Sequence, residues 1–231
     1  MSQPASNGPP AAASFQRSLP YVAPFAVFLL FLAAGDWLRL GEWEYPFRTL
    51  VLAAVLWFAS RKVIELRPAH WVGTLAIGVA VFLVWIAPDA LWGYRAHWLF
   101  QNSITGHVTS SLAAGFHMSP LVLVFRTLRA VVIVPLVEEL FWRGWLMRWL
   151  IKPDFESVPP GAYQAASFWI TAVLFASEHG PYWEVGLAAG ILYNLWMVRT
   201  RSLADCIWAH AVTNGLLSGY VVVWGKWEYW M

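Results

Sequence analysis

The chain predicts an all-α fold, a polytopic transmembrane helical bundle of about seven to eight membrane helices. Three observations carry this. The sequence is 59% hydrophobic and only 12% charged, where a soluble domain carries roughly twice that charged fraction. Its 17 Trp and 8 Tyr suit a bilayer protein, because those rings favour the headgroup level. Long apolar runs recur without strand-like alternation, and backbone groups in lipid must be paired within their own segment, which favours helices.

Residues 1–18, rich in Pro, Ala, Ser and Asn, read as a flexible N-terminal tail. Residues 19–231 read as a single integral membrane domain. The run from Tyr21 to Ala34 reads as a retained first helix. Ala33-Ala34-Gly35 has the small residues of a cleavage site, but further spans follow and the polar leader is long. Apolar segments then occur near 47–60, 71–87, 119–147, 163–178, 184–198 and 203–224. Several are shorter than the ~20 residues that cross hydrocarbon, so some helices are expected behind others. Residues 88–118 read as a surface loop, an interfacial helix or an eighth crossing. Gly186-Leu-Ala-Ala-Gly190 is a small-xxx-small pattern for close helix packing.

Basic residues orient the bundle. Arg17, Arg61, Lys62, Arg67, Arg148, Lys152, Arg199 and Arg201 fall on one side of seven spans, which is then cytoplasmic together with the N-terminus. The opposite side holds Arg39, Arg48, Arg95 and Lys226, partly balanced by Asp36, Glu42, Glu44 and Asp89. A net charge of +2 without a basic run argues against nucleic-acid binding. One cysteine, Cys206, excludes an internal disulfide framework and a multi-cysteine zinc site.

Ionisable groups inside apolar segments are costly and mark candidate sites. Val137-Glu138-Glu139-Leu140-Phe141-Trp142-Arg143 holds three. Each helical residue turns ~100°, so Glu139 and Arg143, four apart, share a face and can pair, while Glu138 points ~140° from Arg143. Glu139 with Arg143 therefore reads as a structural ion pair, and Glu138 as a carboxylate free to face a cavity. Pro135, one turn earlier, bends the helix and releases a backbone carbonyl. A purely structural ion pair remains the other reading.

Phe175 precedes His179 by one turn, and Gly180-Pro181 puts His179 at a helix end, aimed into a cavity or lying at the membrane boundary. His210 and Asn214 share one face of the last long helix, where they can grip a water, a metal or a substrate carbonyl, or bond two helices together. His97, His107 and His117 lack a helical metal spacing and read as loop histidines.

Glu-Glu-x-x-x-Arg, Phe-x-x-x-His and His-x-x-x-Asn, in this order on apolar helices, resemble the CAAX protease and bacteriocin-processing enzyme family of polytopic intramembrane endopeptidases. The resemblance covers about residues 120–220. The Trp-rich context also looks like the bacterial exosortase-associated subgroup, which implies a bacterial inner membrane and a link to an exosortase sorting system. The resemblance implies Glu138 as the base that activates water and His179 as the residue that orients it. His210 and Asn214 would stabilise the oxyanion, with Glu139 and Arg143 holding the constellation. The cofactor is left open: none, or a divalent metal such as zinc on Glu138, His179 and His210. The expected activity is hydrolysis of a peptide bond in a membrane-associated protein or peptide. The alternative is a non-catalytic membrane chaperone, immunity or scaffold protein on the same fold.

Overall fold

A computed structural model describes residues 11–38, 40–110 and 118–230. These residues form seven helices and no strand: α1 (Ala11–Ala34), α2 (Glu44–Val55), α3 (Trp71–Trp92), α4 (Pro120–Trp149), α5 (Ala165–Ser177), α6 (Trp183–Thr200) and α7 (Leu203–Trp224). The protein is a polytopic membrane bundle. Four of its helices, α1, α3, α4 and α7, are long and apolar enough to cross a bilayer. The shorter α5 has 13 residues, and α2 has 12 before a π-helical turn at Leu56–Ser60.

Part of the segment read as a flexible tail is helical, because α1 begins at Ala11; residues 1–10 lie outside the described residues. Residues 93–110 form turns and loop, including a helical turn at Tyr94–Ala96, and no membrane helix. Arg95 fixes this loop by bonding Asp89, Glu184 and the Pro181 carbonyl. His97 and His107 are exposed there, and His117 lies outside the described residues.

Local chemistry sets the helix ends. The side chains of Ser119, Gln164 and Ser202 accept the first free N–H groups of α4, α5 and α7, and Pro120 opens α4 where no intrahelical N–H is needed. Left-handed residues at Gly93, Arg201 and Gly225 close α3, α6 and α7. Prolines inside the spans free carbonyls that neighbours capture. Pro24 has no N–H for the Pro20 carbonyl, and the Ser60 hydroxyl donates to it at 2.5 Å.

The bundle has two chemically distinct ends. At one, Arg17 meets Asp154 and Glu156, while Asp205 holds the start of α3 through Ala69, His70 and Thr74. At the other, Arg48 bonds the Gly35 carbonyl, Arg126 the Trp230 carbonyl, and Tyr229 the Asp89 carboxylate. The α3–α7 contact passes through Gly78, whose carbonyl accepts from the Thr213 hydroxyl at 2.9 Å. Gly190 brings α6 against Ala172 and Phe175 of α5, and Gly186 brings it against His179. The Gly-xxx-Gly pattern thus serves close packing beside the candidate site.

Candidate active site

Helix α4, which carries Glu138, Glu139 and Arg143, is not a regular α-helix. It contains π-helical turns at Arg129–Ile133 and Leu140–Leu146, a feature common where a helix serves function. Within the first, the Val134 N–H reaches back five residues to the Arg129 carbonyl. The next donor in that register would be Pro135, which has none. The Ala130 carbonyl is left free, and the Asn214 amide donates to it at 2.8 Å. This is the released carbonyl that the sequence leads one to expect, shifted by the π offset, and it ties α7 to α4.

The two glutamates divide as helical geometry dictates. Glu139 and Arg143 are fully buried and bonded at 3.0 Å. The Arg143 guanidinium also donates to Asn194 Oδ1 at 2.9 Å and to the Gly190 carbonyl at 3.2 Å, and it lies over the Phe175 ring at 4.6 Å. Asn194 in turn donates to the Phe168 carbonyl at 2.9 Å, so one buried network joins α4, α5 and α6. The partners of Asn194 lie 51 and 26 positions away on two other helices, and only folding brings them together.

Glu138 instead lines a cavity of about 240 Å³ together with Glu178, His179, His210 and Asn214. Its Oε2 is buried with no hydrogen-bond partner among the described residues. A cavity of this size has room for several waters. Glu178 Oε2 is likewise buried and unpartnered, so a second carboxylate faces the same space.

Both imidazoles are fixed through Nδ1. His210 Nδ1 bonds Glu139 Oε1 at 2.9 Å, and His179 Nδ1 bonds the Phe175 carbonyl at 2.8 Å. Carboxylate and carbonyl oxygens only accept, so each Nδ1 carries a proton and each Nε2 is left for the cavity. Tyr193 stacks on His210 at 5.1 Å, and Trp85 packs edge-on to His179 at 5.3 Å. The one-turn spacing of Phe175 and His179 therefore has a direct use: the Phe175 backbone orients the ring that its side chain also touches at 4.8 Å.

Glu138, His179, His210 and Asn214 thus come from α4, the end of α5 and α7 around one cavity, with Glu139 and Arg143 behind them. The short α5 allows this, because it ends at Ser177 and leaves His179 in the turn before α6 rather than beyond the site. Among the described residues no three His, Cys, Asp or Glu side chains are gathered as a metal-binding group. Glu138, His179 and His210, the set admitted as metal ligands from sequence, all line this cavity. Cys206 is buried with its thiol on the Tyr193 carbonyl and does not line the cavity. Asp205 does not line the cavity and instead holds the start of α3 through His70 and Thr74.

Residues 120–216 match the Rce1-like family model, described as type II CAAX prenyl endopeptidase Rce1-like. The resemblance read from the three motifs holds over this segment, which runs from α4 into α7 and contains all four cavity residues named above. The Rce1-like family is a protease family, and the match supports a peptidase in the membrane. No curated protein and no solved structure matches the chain.

Proposed function

We propose that the chain is an intramembrane endopeptidase in which Glu138 activates water against a peptide bond of a membrane-associated substrate. The observation that carries this is the unpartnered Glu138 carboxylate in a cavity shared with two oriented imidazoles. Hydrolysis needs a positioned water, a proton acceptor and donors for the developing oxyanion.

In this reading, His179 Nε2 accepts one hydrogen of the water and Glu138 takes the other as the oxygen attacks the carbonyl carbon. The tetrahedral oxyanion is met by the Asn214 amide and by His210. When His210 donates through Nε2, the ring carries a proton on each nitrogen, with Nδ1 bonding Glu139. As the C–N bond breaks, Glu138 returns its proton to the leaving amine. Glu139 and Arg143 hold His210 in place and take no proton. A divalent metal is not needed for any of these transfers, and no step is assigned to one.

Profiling new protein termini in membranes that contain either the intact protein or Glu138→Ala tests the reading. A peptidase yields termini that vanish in the variant while the variant remains folded. Identical termini in both would favour the non-catalytic scaffold or chaperone role. Repeating the intact-protein arm with a chelator reads metal dependence separately.

A further inference from the structure

Two further spaces lie apart from the Glu138 cavity and meet at the loop between α2 and α3. One, of about 320 Å³, is lined by Arg67 of that loop, Arg148 near the end of α4 and Arg201 in the turn between α6 and α7. Among the described residues, Glu65 is the one carboxylate lining it. The other, of about 650 Å³, is largely apolar, with Leu56, Trp57, Ile133 and Leu136 among its walls. Arg61 also lines it, its guanidinium 5.4 Å from the Trp57 ring. Glu65 and Arg67 line both spaces.

The arginines of the first space are set in place but not neutralised. Arg148 donates to the Val158 carbonyl at 2.8 Å and the Gly144 carbonyl at 3.1 Å, and lies 5.1 Å from the Phe155 ring. Arg201 has a φ of 57°, the only positive φ at a non-glycine residue among the described residues. It closes α6, a position where glycine would carry no steric penalty. Gly161 packs over its stem, since a Cβ there would stand 3.0 Å from Arg201 Cγ. The chain thus accepts backbone strain to present a guanidinium at this point. Among the described residues, none of the three arginines has a carboxylate within ion-pair distance. Three guanidinium groups against one carboxylate leave an excess of positive charge, which an oxyanion answers best.

We propose that the two spaces together bind one anionic phospholipid, with its phosphate on Arg67, Arg148 and Arg201 and an acyl chain along Leu56, Trp57, Ile133 and Leu136. Basic pockets between membrane helices suit anionic head groups. A free phosphate would satisfy the arginines but leave the apolar space to water, which finds few partners there. A choline head group carries its own cation, which these arginines repel. The lipid touches α4 on both sides of the Glu138–Arg143 stretch, at Ile133 and Leu136 before it and at Gly144 and Arg148 after it. It fits only the folded arrangement of these segments and therefore stabilises it. None of this depends on the peptidase reading.

The test uses the full chain purified in neutral detergent and mixed with equal amounts of phosphatidylglycerol and phosphatidylcholine of identical acyl chains. Native mass spectrometry counts the lipid retained. A preference of about tenfold or more for phosphatidylglycerol is expected of a charge-assisted contact. Arg201→Gly keeps the left-handed turn while removing one guanidinium, so it should fold and lose most of the preference. Glu65→Gln should raise it. Equal retention of the two lipids overturns the proposal, as does a preference unchanged in both Arg201→Gly and Arg67→Gln. The Glu138 cavity has arginines of its own, Arg48, Arg126 and Arg129. A preference lost in Arg129→Gln but kept in Arg201→Gly would put the lipid there and overturn the proposal too. A second arm follows thermal unfolding, where phosphatidylglycerol should raise the midpoint of the parent more than that of Arg201→Gly. If excess inorganic phosphate gives the same rise or displaces the lipid, a free anion is the ligand and the lipid assignment is overturned.

Discussion

His210 Nδ1 and Arg143 Nη1 meet on the same atom, Glu139 Oε1, at 2.9 and 3.0 Å. One fully buried oxygen therefore fixes a cavity-facing imidazole and neutralises a buried guanidinium. The neighbouring Glu138 has no such duty. Two adjacent residues of one type should then respond to substitution in opposite ways.

Glu139→Gln leaves Arg143 as a buried charge without its carboxylate. Breaking one side of a buried pair typically costs about 3–5 kcal/mol. The variant should unfold at clearly lower temperature in detergent. Glu138→Gln removes no partner and should melt like the parent while losing most activity. Thermal unfolding of the two purified variants side by side checks this.

Asn214→Ala should strand the Ala130 carbonyl that Pro135 cannot serve. An unsatisfied buried acceptor costs about 1–3 kcal/mol. In a Pro135→Ala background, the chain can supply its own N–H to that carbonyl, so the same Asn214 substitution should cost less. A double-mutant cycle on unfolding free energy measures the coupling, which should be clearly nonzero.

His210→Asn keeps a side-chain donor for Glu139 but has no atom in place of Nε2. It should remain folded and lose roughly 10²–10³ in kcat, the usual loss when an oxyanion donor is removed. Comparison of kcat with the unfolding temperature separates this role from a structural one.

Gly186 lets α6 pass close to the ring of His179. A methyl group there would stand 2.9 Å from His179 Nδ1, the atom that bonds the Phe175 carbonyl. Gly186→Ala should therefore displace the imidazole and lower kcat more than it raises KM. An unchanged kcat would mean that His179 does not need its present orientation.

Much of this was legible in the sequence wherever information is local. The ~100° helical step separates Glu138 from Glu139, and the one-turn spacings of Phe175/His179 and His210/Asn214 survive folding unchanged. Apolar runs near 71–87 and 203–224 became α3 and α7 at nearly those borders. What could not be read depends on packing between distant segments. Asn194 gains its role from Arg143 and Phe168 on two other helices. Arg48, Arg126 and Arg129 look like ordinary flanking charges until α2 and α4 are placed against the C-terminal residues. The π-helical turns that keep residues four apart on one face of α4 have no clear sequence signal apart from Pro135. The start of α1 at Ala11 is hidden in a leader whose Pro, Ala and Ser content is that of a tail.

The most direct measurement of the account is oxygen labelling during cleavage. Native membranes containing the protein or its Glu138→Gln variant are incubated in ¹⁸O-water, and labelled new C-termini are counted by mass spectrometry. Single ¹⁸O incorporation with the parent and almost none with the variant is the predicted result. Equal labelling in both samples would contradict the assignment of Glu138 as the group that activates water.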